Sequence, residues 1–310
     1  MERREMLTAG LGVVLSGASG ALGQGSAGAG VVIERAAEGV PSRGKTFALV
    51  TPHLDDGPIF AGGTMAKMLK EGYSGCFIRT SNDEKDSYHR TLGETVLANE
   101  RDSAAFAKKM GLQRVFDLSY RNHRMDDVAR TEIRGRLIFL FRLLKIDTVL
   151  SYDPWGHYEE NPDHYVTAQA VEAACWMAGG NLDLPEHFAA GLTPHSVGEK
   201  YYFARGPQLV NRVVDTSGVH AEKLAGIRSC ETMITHMVKD LQDSLKARKL
   251  KLPELGGADA AVNEAYIKLA FEARDAAVGA KYGLKYGEEF HYIGPDAALE
   301  DYVARHAVKL

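Results

Sequence analysis

The 310-residue chain is short of cysteine and of any charge excess. Its three cysteines, Cys76, Cys175 and Cys230, are odd in number, and none sits in a CxxC pair. That excludes a disulfide framework and a cysteine-ligated zinc site, and the thiols read as small buried apolar groups. Lys and Arg number 37 against 41 Asp and Glu, a net charge of −4. No basic surplus is present to attract nucleic acid or an anionic membrane. Beyond the first thirty residues no apolar run approaches the length of a bilayer, so no transmembrane span is expected in the mature chain. Internal repeats are lacking too. What is present is an ordinary globular composition, 45% apolar and 25% charged, enough for one large α/β domain or two small ones.

The N-terminus differs from the rest. Arg3 and Arg4 precede an apolar stretch, residues 6–22, diluted with Gly, Ser and Ala, and small-x-small sites follow at 21–23 and 27–29. Residues 1–27 read as a twin-arginine-like export signal, which implies a periplasmic or extracellular protein. The bland alternative is a disordered cytoplasmic tail. Residues 28–44, rich in Gly, Ala and Ser, read as a linker, and 45–310 as the functional domain with a helical C-terminal extension.

Apolar strand-like runs alternate with helical periodicity through this domain. Strands are expected at 46–51, 76–80, 114–118 and 147–152, and helices at 65–71, 94–110, 131–144 and 164–177. Shorter strands follow at 200–204 and 210–215, then helical stretches at 220–250 and 258–280. The fold class is therefore α/β, with a mostly parallel sheet covered on both faces. Ligands in such folds bind beyond the carboxyl ends of the strands, where the loops after 46–51 and 147–152 both lie.

Those two loops carry the titratable groups. The first is Pro52-His53-Leu54-Asp55-Asp56, followed by Gly62-Gly63-Thr64. Adjacent carboxylates at a packed strand end are costly unless a cation relieves them. An imidazole at i and a carboxylate at i+3 can converge on one ion, which leaves Asp55 free to handle protons. The competing reading is that Asp55 or Asp56 caps the next helix. The second loop runs from Asp153 through His157, Tyr158 and Asn161-Pro162-Asp163-His164, and His164 is a third candidate ligand. Two histidines and one carboxylate leave coordination positions open, as a catalytic zinc site requires. Taken alone, His164 reads as a helix-capping or surface histidine.

The two motifs together, with their order and strand context, resemble the PIG-L (LmbE-like) N-acetylglucosaminyl deacetylase family over roughly residues 46–180. The resemblance implies a Rossmann-like three-layer sandwich and removal of an acyl group from nitrogen, usually on an amino sugar or glycoconjugate. It assigns His53, Asp56 and His164 to one divalent metal ion, zinc with Fe2+ as the alternative, and Asp55 to the general base. Tyr158, Asn161 and Asp163 are the further catalytic candidates. Asn99, Arg101 and His157 are the candidate substrate contacts.

Departures from the family pattern are plain. Leu54 replaces proline, Gly57 glutamate and Asn161 histidine; Asn99 stands where relatives carry an arginine, with Arg101 nearby, and Cys230 where they often carry histidine. Asparagine donates a hydrogen bond but gives no proton at neutral pH. A non-catalytic sugar- or partner-binding protein on the same fold is the first rival reading. A non-haem iron oxygenase, which shares the two-histidine, one-carboxylate donor set, is the second. A homo-oligomer is compatible with the sequence.

Overall fold

Alternate residues of the first core strand face two different cores. In the computed structural model, which describes residues 30–257 and 260–308, Phe47 and Leu49 join one apolar cluster, and Ala48 and Val50 the other. A strand buried on both faces needs helices on both sides, so the molecule is a three-layer sandwich.

In chain order the elements are β1 (Val32–Glu34), β2 (Thr46–Thr51), α1 (Asp56–Lys70), β3 (Ser74–Ser81), α2 (Leu92–Met110), β4 (Arg114–Tyr120), α3 (Arg130–Leu144), β5 (Thr148–Tyr152) and α4 (Pro162–Ala178). There follow α5 (Pro185–Ala189), β6 (Glu199–Phe203), β7 (Arg212–Asp215), α6 (His220–Arg228), α7 (Glu231–Ala247), α8 (Ala260–Ile267), a π-helical turn (Lys268–Glu272), α9 (Ala273–Lys281), β8 (Gly287–Ile293) and α10 (Ala297–His306). The sheet order is β1-β7-β8-β6-β5-β2-β3-β4. All strands are parallel except β8, which runs antiparallel to both β6 and β7. Helices α1 and α6 lie against one face, and α3 and α4 against the other.

The chain passes from β2 outward to β3 and β4, then returns to place β5 on the other side of β2. The carboxyl ends of β2 and β5 are thus neighbours at the point where strand order reverses, which opens a crevice for ligands. Both motif loops leave from these two ends.

The structure departs from the sequence reading in three places. Residues 32–34, inside the stretch read as a linker, pair with β7 as an edge strand. Helix α1 begins at Asp56, nine residues before the expected start, so the Gly62-Gly63-Thr64 motif lies within the helix. A Cβ at Gly63 would sit 2.5 Å from Thr216. The backbone N–H of Gly63 and that of Thr64 both donate to the buried Glu288 of β8, at 2.9 and 2.8 Å. Close helix-to-sheet approach is what this glycine serves. Finally, residues 287–293, for which the sequence reading expected no element, form β8. The export-signal reading of 1–27 lies outside the described residues. Among the described residues no helix is long and apolar enough to cross a membrane.

Candidate metal centre and active site

His53 and Asp56 are placed by the turn between β2 and α1, and His164 by the first turn of α4. His53 Nδ1 lies 3.0 Å from His164 Nε2 and 3.3 Å from Asp56 Oδ2, and His164 Nε2 lies 3.6 Å from Asp56 Oδ1. Ligands about 2.0–2.1 Å from a tetrahedral zinc ion stand about 3.3 Å apart. The three side chains are all buried and satisfy that spacing, so they form a group able to hold a metal ion. A second group, His53, Asp83 and Asp86, is also close. Asp83 is already committed, however, to Arg79 at 3.0 Å, the Leu54 N–H at 3.1 Å and the Ser81 hydroxyl at 2.9 Å. Asp56 of the first group accepts only the backbone N–H of His53 at 3.1 Å and the Tyr152 hydroxyl at 2.6 Å, and among the described residues no cation is paired with it from Lys or Arg.

Each ligand is held from behind. The far nitrogen of His53, Nε2, lies 3.3 Å from Asp163 Oδ2, and Asp163 in turn accepts the backbone N–H of His123 at 2.7 Å and of Met125 at 3.2 Å. Glu159 Oε1 lies 3.1 Å from His164 Nδ1, close enough for an ion pair but not aligned as a hydrogen bond. Arg205 grips the same carboxylate through Nε and Nη2. Tyr152 donates to Asp56 Oδ1 and stacks its ring on His164, with centroids 4.2 Å apart. Carboxylates behind both imidazoles raise their basicity as ligands, and Asp163, at hydrogen-bond distance from His53, also sets the tautomer of that ring.

Charge burial sets the local acidities. Burial alone would raise Asp56, but His164, His53 and Tyr152 outweigh it and hold its carboxyl at about 2. Asp55 goes the other way: burial, then the neighbouring Asp56 charge, push it well above the usual carboxylate range. It occupies the N-cap position of α1 yet makes no side-chain cap, and no donor among the described residues reaches its carboxylate. The capping alternative for Asp55 is thereby excluded. Asp86, which accepts from Asn122 Nδ2 at 3.2 Å, is pushed up to about 7 by burial.

These groups line a cavity of about 340 Å³. Asp55, Asp56, His53, Asp86, His123, Asn161 and His164 form its polar side, and Met233, Met237, Tyr266 and Phe271 its apolar side. Asn161 caps α4, accepting from the Asp163 N–H at 3.0 Å through Oδ1, so its amide nitrogen is left for the cavity. Asp163 is fully buried behind His53 and does not itself line the cavity.

Four candidates lie elsewhere. Tyr158 is 88% exposed on a left-handed turn and does not line the cavity, contrary to its expected role at the reacting carbonyl. Its neighbour His157 is exposed as well and is likewise absent from the lining, contrary to a substrate contact. Asn99 is fully buried, and its amide donates to the carbonyls of Asp83 and Asp86 at 3.1 and 3.2 Å. It holds the 81–88 loop and does not line the cavity. Arg101 is exposed on α2, away from the cavity.

Residues 48–175 match the family model described as PIG-L: GlcNAc-PI de-N-acetylase. The chain carries a PIG-L domain. Both motif loops, from His53 to His164, fall inside that match. The chain is 26% identical over 201 residues to the diacetylchitobiose deacetylase of Thermococcus kodakarensis, covering 64% of this chain and 73% of that protein. Among solved structures it resembles the N,N'-diacetylchitobiose deacetylase from Pyrococcus horikoshii, with a TM-score of 0.65 and 21% identity over 82% of this chain and 88% of that one. It also resembles GalB, the 4-carboxy-2-hydroxymuconate hydratase from Pseudomonas putida, with a TM-score of 0.57 and 18% identity over 82% and 98%. A PIG-L domain thus shares its architecture with a hydratase, and the reaction has to be argued from the site.

The sequence reading missed several residues that build the cavity. Asp86 had a signal, since the 81–88 loop follows a strand on the active edge. His123, Arg205 and Arg274 had none, because tertiary packing alone brings them to the cavity.

Proposed function

We propose that this protein is a metal-dependent hydrolase that removes an N-acyl group, foremost N-acetyl, from an amino sugar. One observation carries the reading: His53, Asp56 and His164 converge at ligand spacing while the buried carboxylate beside them, Asp55, has no donor and faces the same cavity. The deacetylase relatives named above support it. The donor set, two imidazoles and one carboxylate with open positions, fits zinc, with Fe2+ as the alternative. When bound there, the ion supplies Lewis acidity and lowers the pKa of water.

The chain's own groups do the rest. Asp55 accepts the proton of the attacking water, and its raised affinity for protons suits it to pass that proton to the departing nitrogen. The Asn161 amide donates to the oxygen that gains charge as the carbonyl carbon becomes tetrahedral. Asp163, Glu159 and Tyr152 keep the ligands oriented. Met233, Met237 and Phe271 exclude water from the apolar side.

The test is a panel of N-acetylated sugars incubated with protein stripped of metal and then reloaded with zinc. The expected result is acetate and free amine in equal amounts, abolished by chelation and restored by the ion. Absence of acetate from every sugar, with metal content verified, overturns the reading. The same reading takes the protein to be exported through residues 1–27, and replacing Arg3 and Arg4 by lysine is expected to retain it in the cytoplasm.

A further inference from the structure

A second cavity, of about 480 Å³, adjoins the catalytic one, and the two share Ile59, Phe60, Arg205 and Arg274 as their common wall. The other basic side chains around this wall are matched. Arg205 pairs with Glu159, Lys281 with Glu289 at 3.1 Å, and the buried Lys223 with both Asp275 and Glu288 at 2.8 Å. Arg274 has neither a hydrogen bond nor a carboxylate at ion-pair distance among the described residues.

Its position is nonetheless fixed. The guanidinium lies over the Phe60 ring, 4.1 Å from the centroid, and Phe60 is itself stacked on Phe203 at 5.3 Å with 3° between the planes. Phe60 stands one turn along α1 from Asp56, so Arg274 is anchored to the helix that carries the metal ligand and the base. The π-helical turn just before it inserts one extra residue. Tyr266 and Phe271, five residues apart, therefore meet with ring centroids 5.6 Å apart and both face the cavity, and Arg274 follows on the same wall. Such turns recur at functional sites. The guanidinium is reached by solvent, yet enough protein surrounds it to pull its pKa down, which is the situation of a group in a cleft. Stacking occupies one face of the planar fork and leaves the N–H edge, the part that recognises oxyanions in pairs, without a protein partner among the described residues, on a residue that lines both cavities.

We propose that Arg274 is a specificity-determining residue that binds an oxyanion group, carboxylate or phosphate, carried by the N-acylated substrate. This rests on the hydrolase reading above and narrows its substrate class from neutral amino sugars to anionic ones. The anion and the scissile amide belong to one molecule that spans the shared wall of the two cavities.

The test uses the full, metal-loaded chain and its Arg274→Gln and Arg274→Lys variants, with melting temperature and metal content checked for each. Acetate release is compared for N-acetylglucosamine, N-acetylglucosamine 6-phosphate and N-acetylmuramic acid. The expected result is that wild type favours at least one anionic sugar by about tenfold or more in kcat/KM, mainly through KM. Arg274→Gln brings that ratio close to one, and Arg274→Lys keeps part of it. Equal rates on all three sugars in wild type, or an equal fall for neutral and anionic sugars in Arg274→Gln, overturns the proposal. Binding is measured separately by calorimetry with glucosamine and glucosamine 6-phosphate. If no sugar releases acetate, the reaction assignment fails, while a phosphate preference that depends on Arg274 still upholds the anion site and its absence overturns it.

Discussion

The Tyr152 hydroxyl donates to Asp56 Oδ1 at 2.6 Å, while the ring of the same tyrosine stacks on His164. One side chain from the end of β5 thus orients two of the three candidate metal ligands. Tyr152→Phe keeps the stacking and loses the hydrogen bond. Metal affinity is expected to fall by about 10- to 100-fold with the fold intact, as read by competition with a chromogenic chelator. Unchanged affinity would remove Tyr152 from the metal centre.

In the proposed reaction Asp55 takes the proton and makes no ligand bond, so Asp55→Asn separates chemistry from binding. The variant is expected to hold one metal ion per chain and to lose about 10²- to 10⁴-fold in kcat. His53→Ala, in contrast, loses the metal. Metal analysis alongside acetate release reads both, and full turnover by metal-loaded Asp55→Asn would exclude its role as base.

Glu159 gives a pH signature in the metal-free protein. Burial alone would raise its carboxyl, but contact with His164 and Arg205 outweighs this and lowers it from 4.5 to about 2. A carboxyl lowered on folding stabilises the folded state above its unfolded pKa, and that contribution is lost as pH falls through the folded value. Wild type is therefore expected to exceed Glu159→Gln in stability at pH 7, by about 1–2 kcal/mol once solvent screening of this half-buried group is allowed for. The gap closes between pH 4.5 and 2. Thermal melts across that range check it, and a gap independent of pH would show that Glu159 acts by shape alone.

Lys223 is fully buried between Asp275 and Glu288. Lys223→Met leaves two buried carboxylates without their cation, a loss expected to cost about 3–5 kcal/mol. Burial already pushes Asp275 up to about 6. Protonating it removes one of the stranded charges, so the defect is expected to be smaller at pH 5 than at pH 8. Denaturant midpoints at the two pH values test this, and an equal defect at both would mean that Asp275 stays ionised in the variant.

The group able to hold a metal ion was legible because local chemistry brings its members together. Neighbouring carboxylates at the end of a buried strand make little sense without a cation, and β2 and β5 announce themselves as short apolar runs. The helix start at Asp56 was not legible, since Gly57, Pro58 and the Gly62-Gly63 pair suppress the helical signal that tertiary contacts with Thr216 and Glu288 restore. Position by position, Asn99 and Tyr158 looked like site residues. The first turned inward to hold carbonyls, and the second turned out on a left-handed turn, outcomes that depend on loop geometry and not on residue type. The C-terminal wall was read as helix correctly but could not be assigned a face. Its cavity side is set by packing of α7, α8 and the π turn against α1 and α2.

The placement of β8 has a consequence for how the chain assembles. This strand lies inside the sheet, between β6 and β7, although it comes near the end of the sequence. Until residues 287–293 leave the ribosome, β1 and β7 have no strand joining them to the body that holds both motif loops. Glu288, whose carboxylate holds the backbone of α1, arrives with the same strand. A nascent chain can already hold all three candidate ligands, the last of them His164, and still lack the keystone that locks α1, so maturation of the site waits on β8.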